Sequence, residues 1–243
     1  MRLLPATCMM FMISCAVQAA GHPCAMGEAI IGEFQEFRRG STFRLTGSEQ
    51  DYVLANILID ELGGRPPSMS GVLSLHAATH KPDRYGRIAV HAFQNRTWIQ
   101  GDLLQNGHGL AFGRVKTQDC LQALLQAEDL HRARHIEYWQ KNGLELNAVD
   151  DKALSGKTGQ FVLIRGKIRS VGDRERRLYL NFGENWAHDF TVSVSKRGTD
   201  RFGGSLERLK GMRGKTVLVR GTLEERQGPL VRVVDDIQIQ IIE

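Results

Sequence analysis

Asp83-Arg84-Tyr85-Gly86-Arg87 sets two guanidinium groups around a Tyr-Gly step, and an apolar strand, Ile88 to Phe93, follows at once. An arginine on a turn that enters a sheet is well placed to grip a phosphate, because its planar fork matches that group bidentately. A second set of chemistry-bearing residues lies further on. Arg165, Lys167 and Arg169 alternate with Ile164 and Ile168, so strand periodicity places the three cations on one face. Arg220 occupies the equivalent place in a similar later strand, and Tyr179 points away from the side of Leu178, Leu180 and Phe182. Basic groups with an exposed aromatic ring suit single-stranded nucleic acid, whose phosphates need cations and whose bases stack. A solvated strand face paired to Glu224 and Glu225 fits the same pattern equally well.

Other candidates are weaker. His131 and His135 stand at i and i+4 with Glu128 at i−3, a spacing that can hold zinc, but the flanking pattern is not HExxH. They read better as solvent-facing partners of Glu128 and Glu137. His76, His80, His91 and His108 are scattered and form no triad. No metal site is assigned from these residues.

The elements that would position these groups follow from the rest of the 243-residue chain. Arg2, an uncharged apolar run and the small residues Val17-Gln-Ala-Ala-Gly21 read as a signal peptide over 1–20, cut after Ala19 or Ala20. That predicts a periplasmic or secreted protein. Removal of the leader leaves two cysteines, Cys24 and Cys120, and an oxidising compartment favours their pairing as a disulfide. Charge is uneven. Residues 21–151 carry 13 Lys and Arg against 16 Asp and Glu, a balance of −3, whereas 152–243 carry 18 against 11, a balance of +7. A basic second half suits a polyanion: nucleic acid, anionic lipid or lipopolysaccharide.

The pattern divides into a domain over 21–143, a linker over 144–158 and a second domain over 159–243. The first runs from β-favouring stretches into one long helix, Thr117 to Gly143, whose apolar residues recur at three- and four-residue spacing. The linker is polar and aperiodic. The second reads strand, strand, strand, helix, strand, strand, the element order of an OB-fold barrel. Within it Val162-Leu-Ile-Arg-Gly-Lys-Ile168 returns as Val217-Leu-Val-Arg-Gly-Thr-Leu223, two equivalent strands each bent at a glycine. The fold class expected is therefore mainly β, a β-barrel with helices.

Asp83 to Arg87, with Trp98-Ile-Gln, Leu103-Leu104, Gly109-Leu-Ala111 and the later Leu124 to Trp139 segment, resembles the thermonuclease (staphylococcal nuclease-like) family over residues 28 to 142. The tail resembles an OB-fold module. The resemblance implies two tandem OB-like barrels, the first of staphylococcal-nuclease type. It also implies a Ca²⁺-dependent phosphodiester hydrolase with two metal carboxylates, a glutamate base and two phosphate-clamping arginines. Only Glu61 and Arg87 fall on such catalytic positions. Ser41 and Leu58 stand where the metal carboxylates would be, and Val53 where the second arginine would be. A hydroxyl and an aliphatic side chain cannot replace two carboxylates around a hard cation. The expectation is a nuclease-like domain with its calcium site largely lost and no bound cofactor, Ca²⁺ being required only if the nuclease is active. An atypical metal arrangement using Asp51 or Asp60 with Glu61 and Arg87 is the enzyme alternative, and an envelope or protein-interaction module is the structural one.

Overall fold

A computed structural model describes residues 21–39, 41–59, 68–79, 81–113, 115–185, 188–197 and 206–242. Glu61, Asp60, His80, Trp186 and the leader over 1–20 lie outside the described residues. The chain is mainly β. The first sheet is built from β1 (Ala29–Arg39), β2 (Thr42–Leu45), β3 (Tyr52–Leu54), β5 (Val72–Ala77), β6 (Ile88–Gln94) and β7 (Thr97–Trp98), while β4 (Ile57–Leu58) pairs separately with β8 (Leu110–Ala111). Strand order is β3-β2-β1-β5-β6-β7, and a parallel pairing of β3 with β6 closes the sheet on itself. Phe43, Leu45, Leu73, Leu75, Val90 and Ala92 project into its core, and Leu103, Leu104, Leu121 and Leu124 cover it. These last four come from α1 (Ile99–Gln105) and α2 (Gln118–Arg134). The expected disulfide is present: Cys24 bonds Cys120 and ties the start of the described chain to α2.

The single long helix expected over 117–143 is two. Thr117 caps α2, accepting from the Cys120 backbone N–H, and the helix stops where His135 adopts φ −130°. A short α3 (Ile136–Lys141) then turns Trp139 inward. The stretch expected to be an aperiodic linker carries structure of its own, β9 (Glu145–Asn147) and α4 (Asp151–Ser155). β9 pairs in parallel with β10 (Phe161–Lys167), which makes it the edge strand of the second sheet.

That sheet continues through β11 (Ser170–Asp173), β12 (Arg177–Asn181), β13 (Thr191–Ser195), β14 (Thr216–Glu225), β15 (Pro229–Val233) and β16 (Ile239–Ile241), with α5 (Leu206–Lys210) before β14. Its order is β11-β12-β13-β15-β14-β10-β9, with β16 on the flank of β14. The two echoing segments are antiparallel neighbours. Val162 faces Gly221, Gly166 faces Val217, and Leu163 faces Arg220, a local two-fold arrangement. Gly166 has no room for a side chain: an added Cβ would overlap Ala148 and lie 2.6 Å from the Phe182 ring.

Ile164, Val219, Leu178, Leu180, Val192 and Phe190 fill the inner side of this sheet. The outer side of β10 and β14 is also covered. Leu163 and Leu218 pack with Leu110 and Trp139 of the first half, and Leu58, Leu144 and Phe161 lean on the same cluster. The two sheets therefore meet through an apolar junction. Among the described residues no helix is long and apolar enough to cross a membrane.

Candidate nucleic-acid interface

The Asp83–Arg87 turn is held rigidly by its own side chains. Asp83 Oδ1 accepts from the backbone N–H of Tyr85 (2.9 Å) and of Arg87 (3.0 Å), and Gly86 adopts φ +77°, a conformation that favours glycine. Gln50 Nε2 donates to the Gly86 carbonyl, and Ile88 N–H donates to that of Asp51, which lashes the turn to the end of β3. Arg87 is engaged locally. Its Nε donates to Asp83 Oδ2 at 2.9 Å, and its Nη1 donates to the Thr42 hydroxyl at 3.2 Å. Partial burial works against the charged form of Asp83, yet the donors on Arg87 and Tyr85 outweigh it and hold the carboxyl below its usual range. Both Arg84 and Arg87 lie against the Tyr85 ring, at 4.8 and 5.1 Å from its centroid. Asp51 is ion-paired to Arg44. Ser41 and Val53 are half-buried beside this turn's strand neighbours, and Leu58 packs into the junction.

The basic strand face expected in the second half is not one surface. Arg220 is only 1% exposed and Glu128, against which it lies, is 0% exposed. Arg220 Nη1 donates to Glu128 Oε2 at 2.9 Å and to the Ala111 carbonyl at 3.1 Å, and lies 2.8 Å from Oε1 off the hydrogen-bonding axis. Arg165 donates through Nε to Glu145, which also accepts from Arg132 Nη1 at 3.1 Å. Both arginines of the echoed V-L-[I/V]-R-G segments thus project from the outer face of β10 and β14 into the junction, each met by a glutamate of the 128–145 stretch. The expectation that Arg220 faces a ligand on an open surface is corrected; Arg165 keeps a third of its side chain exposed while paired to Glu145. Docking of the first half converts that face into an interface. Lys167 and Arg169 remain exposed, at and beyond the end of β10.

Tyr179 lies elsewhere, on the outer face of β12. Strand pairing sets it opposite Gly172 on one side and Ser193 on the other, and Asn181 opposite Thr191. Gly172, Tyr179, Asn181 and Thr191, with Arg174 of the β11–β12 turn and Arg226 of the β14–β15 turn, line a groove of about 380 Å³ that Pro229 and Leu230 also border. Arg226 is 68% exposed and only 3.6 Å from Glu224, which pairs more closely with Arg232 at 2.9 Å. Arg177 lies on the same face and donates to the Ser193 hydroxyl. The turn that carries Arg226 approaches the chain at His188 so closely that a Cβ on Gly228, at φ +105°, would lie 3.0 Å from its backbone. Sequence reasoning found the tyrosine but not Arg174 and Arg226. Their signal was a hairpin turn rich in arginine, not strand alternation.

His131 on α2 and His135 just past its end form no zinc arrangement with Glu128, which the junction consumes. His131 Nδ1 accepts from Trp139 Nε1 at 3.0 Å, and its ring lies 4.5 Å from that of His135. A different histidine is more informative. His91 is buried beside the disulfide, with Nε2 3.6 Å from Cys120 Sγ and with Trp98 and His76 as neighbours. One of its ring nitrogens and the two sulfurs lie within 4.8 Å of one another, but the sulfurs are bonded to each other and offer no thiolate. Burial, reinforced by His22 and His76, lowers its pKa from 6.5 to about 3. Between those values the unfolded chain binds a proton the folded one refuses, so this group's contribution to stability is lost as pH falls from 6.5 toward 3. Each pH unit well inside that window is expected to remove about 1.4 kcal/mol. Urea unfolding at pH 7 and pH 4 should show a smaller acid loss in His91→Gln than in the parent. Identical losses would mean that His91 is not the group responsible.

Compared with known proteins, the chain matches no family model and no curated sequence.

Proposed function

We propose that this is an exported protein that binds single-stranded nucleic acid, or a polyanion presenting similar phosphates, through the groove around Tyr179. The observation that carries the reading is that groove, which brings an aromatic ring, two turn arginines and the neutral polar groups of Asn181 and Thr191 to one concave surface. A base stacks on the ring while the turn arginines meet its flanking phosphates, and Asn181 and Thr191 supply neutral hydrogen-bonding groups. The +7 balance of 152–243 draws a polyanion to this half. The second half is read as an OB-fold module and the first as a thermonuclease-like barrel. Support comes from the element order, from closure of the first sheet by β3 and β6, and from the Asp83–Arg87 turn. The Cys24–Cys120 disulfide and the apolar N-terminal run support a periplasmic or secreted location, after removal of a signal peptide.

Calcium-dependent hydrolysis is not part of this proposal. Where the family resemblance calls for carboxylates, Leu58 packs apolar surface in the junction and Ser41 offers only a hydroxyl. Arg87 is already neutralised by Asp83. The test is fluorescence anisotropy of a labelled single-stranded oligonucleotide across a salt series. Log affinity should fall linearly with log salt. Tyr179→Ala should weaken binding by about 1–3 kcal/mol, the usual worth of one stacked base. Arg174→Ala with Arg226→Ala should flatten the salt slope. Affinity indifferent to salt, or Ca²⁺-dependent cleavage that disappears in Glu61→Ala, would overturn the reading.

A further inference from the structure

Three side chains of metal-ligand type converge at one dry point of the first half. Cys24 comes from the segment before β1, His91 from β6 and Cys120 from the first turn of α2, and all three are buried. One His91 ring nitrogen and the two sulfurs lie within 4.8 Å of one another. Nε2 of His91 faces Cys120 Sγ at 3.6 Å, and Nδ1 has no hydrogen-bond partner. The ring is held instead by packing, with the Trp98 centroid 5.9 Å away and His76 opposite it on β5. Burial keeps this imidazole neutral, which leaves it a lone pair. The spacing to Cys120 is informative. A nitrogen at about 2.05 Å and a sulfur at about 2.3 Å on one tetrahedral zinc ion stand about 3.6 Å apart, and two sulfurs about 3.8 Å. His91 and Cys120 already hold the spacing of two zinc ligands. Once the Cys24–Cys120 bond opens, only the Cys24 sulfur has to withdraw, a shift that rotation about χ1 supplies.

We infer that the dithiol form of this chain binds one Zn²⁺ through Cys24, Cys120 and His91, so that metal and disulfide are alternative occupants of a single site. Two thiolates and a neutral imidazole around Zn²⁺ sum to zero charge, as a site without solvent requires, whereas a cuprous ion would leave one negative charge buried. Sulfur and imidazole ligands exclude the hard cations Mg²⁺ and Ca²⁺. Three protein ligands leave the fourth position of the tetrahedron open. The ion does not have to cross the folded protein, because a buried metal joins its ligands as the chain folds, and a newly made chain carries its cysteines as thiols. In a chain already oxidised, a dithiol reductant breaks the Cys24–Cys120 bond; two thiols form and the reductant closes its own disulfide. Each thiol then releases its proton to solvent as its sulfur takes the metal. The site shares no residue with the Tyr179 groove.

The test is refolding of the untagged mature chain from denaturant in a phosphine reductant, with one equivalent of Co²⁺ as the coloured substitute for Zn²⁺. Tetrahedral sulfur ligation should appear as intense visible bands and a near-ultraviolet sulfur-to-cobalt charge-transfer band, and added Zn²⁺ should bleach both. Cys24→Ser with Cys120→Ser should abolish the bands. His91→Gln should weaken Zn²⁺ binding, read by competition with a chromophoric chelator, by more than the about 10–100-fold that loss of an outer-shell partner costs. Oxidised glutathione should expel the ion in step with disulfide formation, and the chain folded with its disulfide closed should take up none. If His91→Gln fails to fold, the oxidative release decides. A reduced chain without the charge-transfer band, Zn²⁺ affinity unchanged in His91→Gln, or metal retained once the disulfide has formed would overturn the inference.

Discussion

Glu128→Ala should destabilise the protein by about 3–5 kcal/mol, the usual penalty for stripping one partner from a buried ion pair. Glu128 is fully buried, and its carboxylate takes a hydrogen bond from the Ala111 N–H as well as from Arg220. Alanine would leave a guanidinium in an apolar junction with one carbonyl acceptor and no counter-charge. The loss should register as a lower urea midpoint, and by disturbing the contact of β8 with α2 it should loosen both halves together. The double replacement Glu128→Leu, Arg220→Met should recover most of the loss, because removing both charges removes the desolvation penalty along with the attraction. If Glu128→Ala cost no more than a surface substitution, the junction would not be dry. The pair would then be an exposed bridge of the kind worth less than about 1 kcal/mol.

Removal of the disulfide ranks next. Cys24 and Cys120 are separated by 96 residues in sequence, and closing so long a loop constrains the unfolded chain by about 4.7 kcal/mol on the entropic account. Cys24→Ser with Cys120→Ser should therefore lower stability by that order. Mass spectrometry of the parent should show a gain of two hydrogen atoms on reduction. Two reactive thiols in the folded, unreduced protein would contradict the assignment.

Much of this arrangement was legible in the chain. The pairing of Cys24 with Cys120 was legible because they are the two cysteines left after the apolar N-terminal run, and the compartment expected from the sequence is oxidising. Alternation placed Leu178 and Leu180 inward and Tyr179 outward, as observed. The echoed segments were recognised as equivalent strands, and they turn out to pair with one another. What alternation could not tell was which outer face another part of the chain would cover. Arg165 and Arg220 look in sequence like solvated cations, and nothing local marks Glu145 and Glu128 as their partners across 20 and 92 positions. The break at His135 was hidden for a similar reason: Trp139 keeps helical spacing but is drawn inward by Leu163 and Leu218 from the other half. The strand at Glu145–Asn147 was too short and too polar to announce itself, and it exists because β10 offered an unpaired edge. The groove was half-read. Its tyrosine follows a strand period, whereas its arginines sit on turns, where periodicity carries no information.

The central claim is that the polyanion lies on the Tyr179 groove and not on the turn of Asp83 to Arg87 or on the junction arginines. Photo-crosslinking with a bromodeoxyuridine-substituted single strand, followed by peptide mass spectrometry, tests it directly. The account predicts adducts on Tyr179 that vanish when Arg174 and Arg226 are both replaced by alanine. Adducts confined to the peptide carrying Tyr85, with none on β12, would contradict it.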